Sequence, residues 1–379
     1  MNVHLGFLIG WAMLLDYLLQ PLITAVWVAT AVHARYLPKV PYPMAAFLVA
    51  ALITGLNLRG VKSSSRANIA LLAVMSVVIV AFVFLAIHYL FHTQGWAGLL
   101  SSQPFYEPKS FDLHRIWTAT SFAALTYIGF DGVTTLAEDV ENPQRNVLVA
   151  TVLVCVFTGV FGGLEVYLGQ RVWPDWHTFP NLESAFMDVC HRVGGRLLFH
   201  LMGGTLIVAM LGSGLTGGLG AVRLLFGMGR DGVLPRRIFG HLAPESNTPT
   251  YNILIVGALA YLGALGLGNL GNAFEHAGEM LNFGAFLAFM GVNLAVFVQF
   301  GVRHGESQEV RPVTGTWHRI LIDAILPALG FIFCALIWWN LNFVAKAVGG
   351  IWLVVGFLYI LAKTRGFRVP PPQIDFRDA

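Results

Sequence analysis

The chemistry available to this chain sits where acids interrupt apolar sequence. Residues 126–145, TYIGFDGVTTLAEDVENPQR, hold Asp131 between Gly129 and Gly132 in a stretch that is uncharged back to Trp117. A charged side chain at a bilayer's centre costs about 2.5–3.5 kcal/mol on insertion scales, so by default it faces a protein interior or a water-filled cavity and acts there. Two glycines lower helix propensity at the same point. Together they predict a discontinuous helix whose few unwound residues offer backbone N–H and C=O groups to a substrate near the midplane. Asp131 lies sixteen residues after Arg115 and seven before Glu138, so a straight helix would hold it near one face. Unwinding raises the local rise from ~1.5 to ~3.3 Å per residue and moves the acid inward. The alternative is a continuous helix with the glycines as packing notches and Asp131 in a structural ion pair.

Asp16 and Tyr17 interrupt the first apolar stretch in the same manner, with Asp16 eleven residues after Leu5. Asp16 could neutralise an amine or pair with a basic group on a neighbouring helix. Around Asp131, Gly129, Phe130 and Gly132 would provide backbone access and an aromatic wall, and Tyr127 either joins them or packs as an ordinary helix residue. Glu165, near the outer end of its span, reaches toward the interface. Glu138, Asp139 and Glu141 crowd a helix C-terminus, where the dipole disfavours negative charge. They need cations, and Arg230 or the basic loop at 59–66 would turn the run into a cytosolic gate. The plainer alternative is a solvated boundary, with Asn142 and Pro143 opening the next helix.

Other patterns carry no chemistry. GSGLTG at 212–217 fits the dinucleotide spacing but lies inside an apolar span with no strand before it. His88 and His92 have the spacing of a zinc pair without its glutamate or a third ligand. Cys155, Cys190 and Cys334 are too scattered for a disulfide framework or a metal site. No metal or cofactor is expected, and no nucleophile, base and oxyanion set can be assembled for an enzyme.

The elements that must position these residues are membrane spans. Hydrophobic residues make up 56% of the 379 and charged ones 11%, with a mean hydropathy of +0.69, outside the range of soluble globular domains. The net charge of +3 gives no basic face for nucleic acid. A span needs ~20 largely apolar residues. Ten stretches reach or approach that, near 5–32, 43–58, 68–90, 116–140, 146–169, 196–228, 250–268, 276–301, 319–340 and 347–363. The second is the weakest and needs tilt or flanking residues to cross. Fourteen Lys and Arg gather on one side, from Arg59 to Arg377, against eight on the other, from Arg35 to Lys346. That bias puts both termini in the cytoplasm. Among the outside loops, 91–115 and 170–195 carry Trp96, Trp173 and Trp176 as interface anchors, with a short surface helix over 182–193. The first apolar stretch shows no cleavage site, so no removed signal peptide is expected. The tail at 369–379 reads as polar and disordered.

GFDGVTTLAEDVENPQRN resembles the sixth-helix signature of the amino acid, polyamine and organocation permease superfamily. GFLIGWAMLLDYLLQP is similar to its third helix, NLRGVKSSSRAN to its basic loop between helices four and five, and SGLTGGLGAVRLLFGMGRDGVLP to its eighth helix. TPTYNI resembles the entry to helix nine and LNFGAFLAFMGVNLAVF helix ten. The order is kept over nearly the whole chain. LLDYLLQP, GFDGVTTL and the FGHL before the TP pair are most similar to the putrescine importer branch.

The resemblance implies an all-α polytopic membrane protein with an inverted-repeat transporter fold. Residues 1–115 would be the remainder of a first repeat (helices three to five), 116–302 the second repeat (six to ten), 303–368 helices eleven and twelve, and 369–379 a cytoplasmic tail. Helices one and two would then precede Met1, which is expected to be an internal or misassigned start. The resemblance places Ser213 and Thr216 at a coupling-ion turn, although hydroxyls bonding back to their own helix are the commoner case. Many members carry a lysine where this chain has Met75, so a lysine-based switch is not carried over. The implied function is secondary active uptake of a small amine, an amino acid or a polyamine such as putrescine, across the inner or plasma membrane with a proton as coupling ion. Asp16 and Asp131 favour a cationic substrate. The alternative is a truncated, non-transporting membrane protein.

Overall fold

In hydrocarbon every backbone polar group must be satisfied within the protein, which makes the helix the natural unit of such a chain. A computed structural model describes residues 3–60, 65–108, 111–133, 140–180, 182–244, 247–268, 270–302, 317 and 320–369, with no strand among them. The helices are α1 (Val3–Ala31), α2 (Tyr42–Leu58), α3 (Ser65–Gln94), α4 (Trp96–Leu99), α5 (Leu113–Ala123) and α6 (Pro143–Val172) in the first half. They continue as α7 (Ala185–Arg230), α8 (Arg236–Phe239), α9 (Thr250–Gly268), α10 (Ala273–Val296), α11 (Leu326–Trp339) and α12 (Phe343–Lys363). Eight stretches among the described residues are long and apolar enough to span a membrane. Of the ten expected, the two outside that set are the short α2 and the 116–140 stretch, which breaks.

The hub is α1, packed against α2, α7, α9, α10 and α12. The residues in the middle of α6, in contrast, are half-buried or exposed. Both are apolar, so hydropathy did not sort them. Small residues did, because in lipid they let helices approach closely. On α7, Gly214 lies against Thr24, Gly217 against Gln20 and Gly220 against Tyr17. On α10, a Cβ added at Gly284 would sit 2.5 Å from the Ala12 carbonyl oxygen and 3.1 Å from the Asp16 nitrogen. Helix α12 is tied on by a reciprocal pair: Trp11 Nε1 donates to the Trp352 carbonyl at 2.9 Å and Trp352 Nε1 to the Trp11 carbonyl at 2.7 Å.

Helix α7 is two helices meeting at Gly195, whose φ of 64° suits a residue without Cβ. Residues 185–194 form the expected surface helix, with Met187, Val189 and Cys190 buried. Val189 and Cys190 share a core cluster with residues of α3 and α6. Its anchor is Arg35 at the end of the first span, paired with Asp188 at 2.6 Å and donating to Ser184 Oγ at 2.9 Å. Trp96 and Trp176 are exposed, as interface anchors would be, while Trp173 stacks on Phe179 under the Arg192 guanidinium.

The 116–140 stretch is interrupted. Asp112 caps α5 by accepting from the backbone N–H groups of His114 and Arg115. The helix ends at Ala123, tightens into a 3-10 turn at Ala124–Tyr127, and turns at Ile128 and Gly129, where Gly129 has φ 109°. A second 3-10 turn covers 130–133, and after bends at 140–142 Pro143 opens α6. The continuous-helix alternative does not describe this chain.

Candidate functional site

Four polar residues of α1, Asp16, Tyr17, Gln20 and Thr24, recur at spacings of one, three and four, which gathers them on one face of a 3.6-residue helix. Along that face run α7 and the broken segment. Thr24 Oγ1 donates to the Met210 carbonyl at 3.1 Å, and Ser213 Oγ donates to Gln20 Oε1 at 3.4 Å. Tyr17 crosses to the break, where its hydroxyl donates to Asp131 Oδ2 at 3.1 Å. Asp16 is only 2% exposed, and its Oδ1 has no hydrogen-bond partner among the described residues. Pro21 cannot donate to the Tyr17 carbonyl, which removes one helix hydrogen bond beside the same residues.

The break supplies the other wall. Asp131 and Gly132 are half-buried, and Gly129 is exposed at the turn. The Phe130 ring packs 5.2 Å from Phe289 of α10. Tyr127 turns the other way: its hydroxyl points at Gly159 of α6, so the packing reading describes it. The site thus joins two acids from segments over a hundred residues apart, one sealed and one reachable, with a phenol between them. Such a pair can hold a cation by charge and by hydrogen bonds from its N–H groups.

The remaining sequence-derived residues fall elsewhere. Ser213 reaches α1, whereas Thr216 Oγ1 bonds back to the Gly212 carbonyl at 2.9 Å. Arg230 is held by the neighbouring Asp231, with Nε 2.9 Å from Oδ1. Glu138 and Asp139 lie outside the described residues. The His88 and His92 rings are tilted against each other with centroids 4.4 Å apart, and no group of three His, Cys, Asp or Glu that could hold a metal occurs among the described residues.

One group escaped sequence reasoning. Glu279 of α10 is 0% exposed, held by Ser121 of α5 and the backbone of Asn342 between α11 and α12. The run Glu275, His276 and Glu279 at the head of a span was its signal. Its partners lie 158 and 63 residues away in sequence, where no local pattern points to them.

The comparisons with known proteins agree with this architecture. The amino acid permease family model matches residues 1–362. The low-affinity putrescine importer PlaP of Escherichia coli K12 is 30% identical over 373 residues, covering 98% of this chain and 78% of its own length. The branched-chain amino acid permease BcaP of Lactococcus lactis is 25% identical, with 94% of this chain and 77% of the relative covered. The methylthioribose transporter of Bacillus subtilis is 25% identical, with 95% and 76% covered. With membrane-length helices and a matching family model over nearly its full length, the chain belongs to the amino acid permease family.

Proposed function

We propose that this protein is a secondary active importer of small amines, most suited to a polyamine such as putrescine, and that Asp16, Tyr17 and Asp131 hold the substrate ammonium. The observation that carries this reading is the Tyr17–Asp131 hydrogen bond beside a buried Asp16 oxygen that has no donor among the described residues. A polar atom buried with no partner costs free energy. An ammonium brings three N–H donors, enough to reach Asp16 Oδ1 and Asp131 together, whereas a neutral or anionic cargo would offset neither negative charge. Putrescine import by one relative and amino acid transport by another fit a small amine cargo. Gly129, Phe130 and Gly132 form the moving wall in alternating access. A cytosolic gate of Glu138 and Asp139 against Arg230, proton coupling, and an inner-membrane orientation with both termini cytoplasmic complete the proposal.

Uptake of labelled putrescine into liposomes carrying the purified protein tests it. Asp131→Asn should abolish uptake while the protein still inserts and purifies as a folded species. Unchanged uptake would remove Asp131 from the site.

A further inference from the structure

Glu279 is a buried carboxylate that the ammonium site does not use. Six residues into α10, its Oε1 accepts from Ser121 Oγ at 3.2 Å and its Oε2 from the Asn342 backbone N–H. Ser121 is fully buried, with its Oγ 2.7 Å from the Thr118 carbonyl and 3.4 Å from that of Asn340. Asn282 Nδ2 donates to the Ser121 carbonyl at 2.6 Å, and Asn342 Nδ2 lies 3.1 Å from His276 Nδ1.

No Lys or Arg pairs with Glu279 among the described residues. The charged and titratable groups around it are few. Glu275 and His276 lie nearby on α10. Helix α12 brings Lys346, whose Nζ is turned to the Trp339 carbonyl at 2.5 Å. Helix α5 brings Ser121, and α1 brings the apolar Ile23 against neighbouring Gly278. Helices α9 and α11 contain no charged residue.

Counting hydrogens shows what this arrangement permits. Ser121 has one hydroxyl hydrogen and two lone pairs, so it cannot donate to three oxygens at once. When Glu279 is ionised, Ser121 gives its hydrogen to the carboxylate. When Glu279 is protonated, the carboxyl gives its hydrogen to Ser121 Oγ and Ser121 turns its own to the Thr118 carbonyl. The Asn342 N–H stays on Oε2 in both. Each protonation state is therefore fully hydrogen-bonded with the heavy atoms in place. An ionised carboxylate without a cation at this depth remains costly, and binding one proton removes that cost without repacking.

We propose that Glu279 is the proton-carrying residue of this transporter. It takes one proton from water on the side of the α11–α12 loop, holds it on the oxygen facing Ser121, and releases it to water on the opposite side when α5 and α10 part during the cycle. The assignment rests on the amine-transport reading.

The test separates exchange from coupled accumulation in liposomes. Exchange of internal for external labelled putrescine at equal pH needs the substrate site and no net proton movement. Accumulation driven by a pH gradient, with an entrapped pH-sensitive dye, reads the proton. Glu279→Gln keeps an acceptor for Asn342 and a donor for Ser121 but cannot ionise. Exchange should stay within about threefold of wild type while accumulation and dye signal fall at least about tenfold. Accumulation and proton influx at the wild-type level would overturn the assignment. Loss of exchange together with accumulation would overturn it too, marking Glu279 as structural. Should Glu279→Gln fail to fold, Ser121→Ala replaces it: removing the donor to the ionised form should move the pH profile of accumulation upward, and an unmoved profile would overturn the proposal. Wild-type liposomes that exchange no putrescine would sink the transport reading itself. Intact exchange with undiminished coupling in Glu279→Gln would sink this assignment alone.

Discussion

Asp16 and Glu279 are both carboxylates sealed from solvent inside membrane helices, yet their surroundings differ in kind. Both oxygens of Glu279 are engaged, by a serine hydroxyl and a backbone N–H. One oxygen of Asp16 has no donor among the described residues, and Asp131 lies close enough to interact with it electrostatically. A satisfied acid can change protonation in place, whereas an unsatisfied acid beside a second acid is incomplete until a cation arrives. Burial alone does not distinguish the two proposed roles, and the difference in hydrogen bonding is what motivates them.

The largest effect should come from exchanging the two roles by substitution. Asp16→Asn should weaken putrescine binding by about 150- to 5000-fold, since breaking a buried charge pair costs about 3–5 kcal/mol and each factor of ten is 1.36 kcal/mol. Glu279→Gln should leave the same binding within about threefold. Equilibrium binding to the purified proteins decides, and equal losses would erase the comparison.

A smaller change should follow from spacing. Gly284→Ala would drive a methyl into the α1 backbone at Ala12 and Asp16, and overpacking of this kind costs about 1–3 kcal/mol. A thermal-unfolding scan should show the loss, and an unshifted transition would mean that α1 and α10 can part freely.

Tyr17→Phe deletes one hydrogen bond to Asp131. Such a bond contributes about 0.5–1.5 kcal/mol, so putrescine affinity should drop about two- to twelvefold. A loss as large as that of Asp16→Asn would mean that Tyr17 holds the substrate as strongly as the acid beside it. Ser213→Ala should change exchange least, by less than about threefold, because its partner among the described residues is Gln20 at 3.4 Å. A loss of coupling in that variant would instead favour the ion-turn role implied by the family resemblance.

The residues show how far a sequence can be read here. Span positions were legible because each apolar run must be long enough to cross hydrocarbon, and α2 looked weak for the reason that keeps it below membrane length. The break at 128–133 was legible because Gly129, Asp131 and Gly132 put poor helix propensity and a buried charge at one point. The depth of α1 was not legible. Its apolar run resembles that of α6, and what buries it is the glycine face of α7 and α10, which is set by tertiary packing. Tyr127 looked like a site residue by proximity in sequence, but its side chain points to α6. Glu279 stayed hidden because its partners lie 158 and 63 residues away in sequence.

The account's central claim is that two acids recognise a positive charge. Competition for labelled putrescine binding to the purified protein by butanediol, which has putrescine's carbon chain but hydroxyls in place of ammonium groups, tests it most directly. Butanediol should fail to displace putrescine even at about 100-fold the concentration at which unlabelled putrescine does. Displacement by the diol at matching concentrations would contradict the claim, since recognition would then rest on shape and the Asp16 and Asp131 charges would be idle.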